Sequence, residues 1–323
     1  MLTGPLTIPV PPGQPTFINA PSCTDLAALD ADVAVLGVPH GVPYDMANMQ
    51  APSAAATRSV RAESMRYAAD IRTSWDFTFG GPLFAGANPR LVDCGDVVMR
   101  PGDHAGNSAR TTAAVTAILD RGAFPLVLGG DHAIPIPVMR AFAGRGDLCV
   151  VQLDAHIDWR EERLGVREGL SSIMRRASEL PEVTAMAQIG MRDIGSAREE
   201  EVRAALAWGS VIIPAHDLHR DGPEATLARI PAASRYYVTL DMDGMDPAIA
   251  PGVNDPAFGG ITYDEATAVL RGLATRGHIA GFDLVEIVPT ADVAGLTSRL
   301  GARLALNMLG AMAWAGQFGV ATA

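Results

Sequence analysis

The chain has 323 residues, 48% of them hydrophobic, enough to bury a sizeable core as one large α/β domain or two smaller ones. Its net charge of −11, from 25 basic and 36 acidic side chains with no basic cluster, argues against a nucleic-acid partner. Every basic residue is Arg. Without Lys there is no Schiff base for pyridoxal phosphate, no P-loop lysine and no lysine general base.

Residues 1–30 are rich in Pro and Gly and read as an arm on the surface. Met1-Leu2-Thr3-Gly4-Pro5 lacks the charged and apolar segments of a signal peptide. Cys23, Cys94 and Cys149 are too few and too widely spaced for a disulfide framework or a Cys-based zinc site, so a reducing cytoplasm is expected. Beyond the arm, runs rich in Val, Ile and Leu at residues 32–38, 91–93, 125–128, 148–153, 185–189, 211–214, 235–240 and 279–284 read as strands. Helical spacing at 105–121 and 263–276 alternates with them. A third helix is expected over 197–208, whose opening acids complement the helix dipole. Alternating β and α elements predict a three-layer αβα fold on a parallel sheet of about eight strands. Several runs are apolar on both faces, as such a sheet requires. Residues 31–323 read as one catalytic domain, without repeat or linker. The apolar tract 304–321 carries Asn307 and Gln317 and reads as a buried final helix, not a membrane span.

Three strands run straight into acidic motifs: Gly129-Gly130-Asp131-His132, Asp154-Ala155-His156-Ile157-Asp158 and Asp241-Met242-Asp243. In a parallel sheet all three emerge at the carboxyl edge, where open α/β folds build their sites. In extended chain Asp154, His156 and Asp158 share one face, as do Asp241 and Asp243. So many carboxylates at one edge repel each other unless cations sit between them. Six ligand candidates, His132, Asp154, His156, Asp158, Asp241 and Asp243, exceed what one tetrahedral ion takes. They suit two ions roughly 3.5–4 Å apart sharing bridging carboxylates. Mostly oxygen ligands with two imidazoles favour Mn²⁺, with Ni²⁺ possible, over structural Zn²⁺.

These motifs resemble those of the arginase/agmatinase (ureohydrolase) family. The resemblance spans roughly residues 32–310 and includes Gly37-Val38-Pro39, Val92-Asp93-Cys94-Gly95-Asp96-Val97, Thr239 to Pro247 and Gly281 to Pro289. The segments Ser171-Ser172 and Met174-Arg175-Arg176-Ala177 are closer to the agmatinase-like branch. The resemblance implies that His132, Asp154, Asp158 and Asp241 bind one metal, and Asp154, His156, Asp241 and Asp243 the other. It implies that Asp158 orients the nucleophile and that Glu286 holds the substrate guanidinium. It also implies a trimeric or hexameric assembly, which the arm is long enough to support by lying across a neighbour.

The sequence departs from the family pattern in two places. The loop after Asp158, where relatives often carry His, has none. Glu168 occupies the nearest matching place and could pass protons or be a solvated loop carboxylate. The loop Gly41-Val42-Pro43-Tyr44-Asp45-Met46-Ala47-Asn48-Met49-Gln50-Ala51-Pro52 lacks the Arg-Pro-Gly type of sequence common near its end; Met46 and Met49 there read as core or pocket wall. Among the other histidines, His40, His104, His216 and His219 lie near strand ends and within possible reach of the site, while His278 reads as structural. The expected activity is hydrolysis of a linear guanidine or amidine C–N bond with release of urea, on agmatine, a guanidino acid or a small substituted guanidine. The alternative is a catalytically weak structural or regulatory subunit of a similar oligomer.

Overall fold

The computed structural model describes residues 4–42, 44 and 52–318. In chain order the elements begin with β1 (Thr7–Ile8), β2 (Val33–Val38), α1 (Ala56–Ser64), a two-strand flap of β3 (Trp75–Asp76) and β4 (Gly81–Pro82), β5 (Leu91–Val97) and α2 (His104–Asp120). Next come β6 (Phe124–Gly129), α3 (Pro135–Arg140), β7 (Leu148–Leu153), α4 (Ile173–Ala177), β8 (Val183–Met191), α5 (Glu199–Trp208) and β9 (Val211–Pro214). The chain closes with α6 (Ala215–Arg229), β10 (Arg235–Asp241), α7 (Tyr263–Arg276), β11 (His278–Val285) and α8 (Leu296–Trp314).

Nine strands form one sheet in the order β1-β5-β2-β6-β11-β10-β7-β8-β9. All pairings are parallel except β1 with β5. Each of the eight strands expected from sequence is present, and the ninth is a two-residue antiparallel edge supplied by the arm. Period-two alternation splits the strand side chains between two cores. Val33, Val35, Val238 and Leu240 join Val60, Leu270 and Leu304 on the α1, α7 and α8 side. Ala34, Leu36, Val127 and Tyr237 join Val115, Val138 and Ile173 on the α2, α3 and α4 side. That division is the three-layer architecture, and it explains strands that read apolar on both faces.

Local chemistry sets the helix ends. Thr262 and Glu265 form a capping box at α7: Thr262 Oγ1 accepts from Glu265 N, and Glu265 Oε2 accepts from Thr262 N. Glu199 to Glu201 open α5, and Gly209 at φ 104 ends it. The final helix starts at Leu296, before the apolar tract, and is almost wholly buried from Gly301 to Ala313. Among the described residues no helix is long and apolar enough to cross a membrane. α6 escaped the sequence reading because Gly222, at φ 81, and Pro223 interrupt its helical pattern.

The N-terminal arm is laid onto its own domain. Phe17 is fully buried, and its N–H donates to Asp93 Oδ2 at 2.8 Å. Asp93 also binds Arg61, with Nε and Nη2 each donating at 2.9 Å, and Arg61 reaches Asp96 at 2.5 Å. The Val92 to Val97 motif is therefore a buried ionic anchor that ties the arm and α1 to the sheet. Most of the Gly41 to Pro52 loop, including Met46, Met49, Gln50 and Ala51, lies outside the described residues.

Candidate metal centre

Sheet order brings the motifs together. The four adjacent central strands β6, β11, β10 and β7 end, respectively, in His132, Glu286, Asp241 with Asp243, and Asp154 to Asp158. Register aligns them: Leu240 pairs with Leu153, which sets Asp241 beside Asp154, and Asp241 pairs with Val285, next to Glu286. Close backbone approach needs glycine here. A Cβ on Gly130 would lie 2.1 Å from His40 O, and one on Gly244 would lie 2.7 Å from Asp154 N. Asp158 (φ 49) and Glu286 (φ 63) are left-handed without being glycine, a strained backbone of the kind that collects at functional sites.

Two groups of potential ligands lie with their atoms within 4.8 Å of one another: His132 with Asp154 and Asp241, and Asp154 with His156 and Asp243. Asp154 belongs to both. Nδ1 of His132 is 2.9 Å from Asp154 Oδ2, 2.9 Å from Asp158 Oδ2 and 3.0 Å from Asp241 Oδ2. Nδ1 of His156 is 3.1 Å from Asp243 Oδ2. His132, Asp154, Asp158, Asp241 and Asp243 are all buried, and His156 is the more open of the two imidazoles.

The tautomer of His132 follows from its far side. Thr239 Oγ1 donates to Asp283 Oδ1 at 2.7 Å and so accepts from His132 Nε2–H at 2.9 Å. In the neutral imidazole Nδ1 then carries the lone pair on the side of three carboxylate oxygens, and among the described residues this buried atom has no hydrogen-bond partner. One proton could serve one or two of those oxygens. A divalent cation would serve all four atoms, so this donor set fits a metal ion.

The charge balance without a cation shows the same tension. Burial lowers the imidazole pKa of His132, but the surrounding carboxylates carry it well above its ordinary value. His156 is likewise pulled down by burial yet pushed up to about 12 by Asp154 and Asp243. Burial, with Asp154 close by, pushes Asp158 up to about 7. Burial also raises Asp241, Asp243 and Glu286. Burial opposes ionisation of Asp154, but the two imidazoles hold it below the usual carboxylate range. The cluster thus retains protons where cations would otherwise sit.

Glu286 Oε1 accepts from His132 N at 2.8 Å, and Glu286 N donates to Gly130 O at 2.8 Å, lacing the ends of β11 and β6 together. With His132, His156, Asp158, Asp241 and Asp243 it lines a pocket of about 440 Å³. Asp131 is not directed at the cluster. Its carboxylate accepts from Val42 N and Ala133 N and fixes the loop.

The structure does not bring Glu168 to this pocket. Its carboxylate grips Arg140 on α3, with Oε2 at 3.1 Å and Oε1 at 2.5 Å from the two Nη atoms. That pairing, against some burial, holds its pKa below the ordinary value, the wrong direction for a group that must hold and release protons near neutrality. Glu168 lines a separate cavity with His40 and His104, whose rings lie 5.5 Å apart. His219 pairs with Glu265, and His216 is exposed. None of these four histidines lines the metal pocket.

Several supporting residues were not singled out from sequence. Behind His132 stand Thr239, Asp283 and Tyr237, whose hydroxyl donates to Asp283. Behind Asp154 runs a buried chain: Gln152 Nε2 donates to Asp154 Oδ2 at 2.6 Å, Gln188 Nε2 to Gln152 Oε1 at 2.7 Å, and Ser210 Oγ to Gln188 Oε1 at 2.8 Å. Arg192 donates to the carbonyls of Asp243, Gly244 and Met245 at 2.7, 3.0 and 3.2 Å, clamping the turn that carries Asp243. A polar residue inside a doubly buried strand, as at Gln152, Thr239 and Asp283, was the available signal. Arg192 offered none.

The arginase family model matches residues 31–310. A guanidinobutyrase of Pseudomonas aeruginosa is 32% identical over 304 residues, 92% of either chain. An agmatinase of Photorhabdus laumondii is 34% identical over 275 residues, 83% of this chain and 84% of its own. The solved structure of proclavaminate amidino hydrolase from Streptomyces clavuligerus aligns with a TM-score of 0.80 and 28% identity, covering 93% of this chain and 97% of its own. Matched span, identity and shared architecture agree, and the chain belongs to the arginase family of metal-dependent amidinohydrolases.

Proposed function

We propose that this chain is a binuclear-metal ureohydrolase that cleaves a linear guanidino compound to an amine and urea. The observation that carries the reading is the buried Nδ1 of His132 facing three carboxylate oxygens at 2.9–3.0 Å, beside a second ligand group that shares Asp154. His132, Asp154, Asp158 and Asp241 would hold one ion, and Asp154, His156, Asp241 and Asp243 the other, with Asp154 and Asp241 bridging. The oxygen-rich set favours Mn²⁺, with Ni²⁺ next. Two such ions, when bound, supply a water acidic enough to serve as nucleophile at neutral pH.

The protein's own groups would do the rest. Glu286 spends one oxygen on His132 N, which fixes the carboxylate and leaves the other for the planar cation. A charge-assisted contact of this kind is among the stronger hydrogen bonds. Asp158 would orient the attacking water through its carboxylate, held in place by its left-handed backbone. Burial of the pocket floor excludes bulk water and strengthens each of these interactions. Assembly as a trimer or hexamer is proposed from the family resemblance.

Urea release by Mn²⁺- or Ni²⁺-loaded protein over a panel of guanidino compounds is the direct test. Stoichiometric metal without urea from any member of the panel would sink the hydrolase reading. The names of the relatives point to guanidinobutyrate and agmatine, so the substrate's tail is the open variable.

A further inference from the structure

We infer that the substrate is an ω-guanidino carboxylate and that Arg163 is the residue that reads its anionic tail. The inference rests on the ureohydrolase reading above and names the substrate class of that same pocket.

The pocket lining divides by charge and depth. Its floor is acidic and buried, formed by Asp158, Asp241, Asp243 and Glu286. Its exposed part carries Arg163 and, beside His156, Asp255, with half-buried Arg160 and Tyr44 next to Arg163. The Arg163 guanidinium lies 4.6 Å from the centroid of the Tyr44 ring, a cation–π stack. Stacking uses the guanidinium face and leaves its N–H edge free to donate to a carboxylate.

Both members of this stack are held. Tyr44 Oη accepts from Ser171 N at 2.7 Å, and its ring packs on Gly169, where a Cβ would come within 2.4 Å of it. Arg163 and Val166 exchange both backbone hydrogen bonds at 2.9 Å across a turn with Leu164 at φ 51 and Gly165 at φ 79. Two left-handed central residues make the tight hairpin turn that fixes the strand ends it joins. The guanidinium is thus presented on a preformed tip.

Charge partners separate Arg163 from its neighbours. Arg160 Nε is 3.7 Å from Glu201, and Arg176 Nη2 is 3.1 Å from Glu161, which Arg167 also contacts. Among the described residues no carboxylate lies within 4.0 Å of the Arg163 guanidinium. The exposed acid of the lining, Asp255, lies 3.6 Å from His156 Nε2 and has that imidazole as its partner. A linear zwitterion with its guanidinium on Glu286 and its carboxylate at Arg163 matches the pocket charge for charge. A tail ending in ammonium meets a cation of its own sign.

The test measures urea release and calorimetric binding with metal-loaded wild type, Arg163→Gln and Arg163→Lys. The probes are 3-guanidinopropionate, 4-guanidinobutyrate, agmatine and uncharged-tail butylguanidine. The better acid should exceed agmatine in kcat/KM by about tenfold or more, and Arg163→Gln should cut the acid-to-butylguanidine ratio about 10–100-fold, mainly through KM, the range of one hydrogen bond to a charged group. Arg163→Lys should recover part of the loss. Preference for agmatine, or equal loss on every probe in Arg163→Gln, overturns the inference while leaving the hydrolase reading intact. If no probe yields urea, that reading fails, and calorimetry still decides the specificity: Arg163-dependent preference for the acids sustains it, and tighter agmatine binding rejects it.

Discussion

Thr239→Val tests whether the hydroxyl behind His132 sets the metal site. Val keeps the β-branched shape that the strand accepts and removes only the oxygen. Two buried bonds go with it: the acceptor for His132 Nε2–H at 2.9 Å and the donor to Asp283 Oδ1 at 2.7 Å. Thr239 and Asp283 are fully buried and His132 nearly so, so no water easily replaces the lost partner. The imidazole is then free to place its proton on Nδ1, where the carboxylates gather, and the metal-facing lone pair disappears. Losing an outer hydrogen bond of this kind costs about 10–100-fold in metal affinity, or ~1.4–2.7 kcal/mol. The unmatched His N–H and Asp carboxylate should lower folding stability by a further ~1–3 kcal/mol.

The loss should fall on one ion. His132 belongs to the ligand group with Asp154 and Asp241, and not to the group with His156 and Asp243. Competition titration of metal-free protein with a chromophoric chelator should therefore show one weakened step and one close to wild type. Thr239→Ser restores the oxygen and should restore both steps, while thermal unfolding follows the stability part separately. Wild-type affinity at both steps in Thr239→Val would refute the reasoning. So would a Thr239→Ser protein as weak as Thr239→Val, since packing and not the hydroxyl would then be responsible.

Glu286→Gln keeps the acceptor for His132 N but removes the charge; metal content should persist while turnover falls by about 10²–10³-fold, as for loss of a group that stabilises developing charge. Glu168→Gln should stay within a few fold of wild type in kcat and cost under ~1 kcal/mol of stability, because its partner is a partly exposed Arg140; a hundredfold loss of kcat would return it to the proton route. Metal-free protein should lose stability as pH rises from about 4 to about 7. Asp131 and Asp158 are raised by burial to about 6 and about 7, so the folded state binds more protons than the unfolded one across that window. Asp154, shifted the other way, acts only below it. Metal loading should shrink the decline by the Asp158 share, leaving that of Asp131, and release protons, read as a buffer-dependent calorimetric enthalpy; a metal-independent pH profile would count against the cluster. Light scattering should find a trimer or hexamer at micromolar concentration, and a stable monomer would reject the assembly.

What could be read from sequence, and what could not, divides along physical lines. The ligands were legible because strand geometry makes spacing meaningful: Asp154, His156 and Asp158 alternate, and each acidic motif follows a buried run that could only be a strand. Parallel pairing then placed His132, Glu286, Asp241 and Asp154 on four neighbouring strand ends. The arm was read by composition alone, and composition carries no information about Phe17 meeting Asp93 across 76 positions. Glu168 was aligned by distance along a loop, where no period fixes direction, and a guanidinium on α3 captured it. Thr239 and Asp283 occupied the middle ground. Their polarity inside apolar strands was visible, but the partner that explains it lies on the adjacent strand, at Thr239↔Asp283 in the register.

The same division bears on how the reaction and the substrate choice are encoded. Residues that hold the metal sit at the ends of the most buried strands, where a side chain's direction follows from the sheet and strain at Asp158 and Glu286 is borne by surrounding packing. Residues facing the substrate tail sit on the turn at Leu164 and Gly165, outside the sheet's periodicity, where a single exchange changes the charge that a ligand meets. An exchange of exposed Arg163 gives up only its stack on half-buried Tyr44 and disturbs no strand of the sheet, so stability places little constraint on it. An exchange at Asp154 unmakes both ligand groups at once. One metal scaffold can therefore keep its chemistry while the tail it accepts is reset by the loop after Asp158, one of the two loops whose sequence stood apart from the family resemblance.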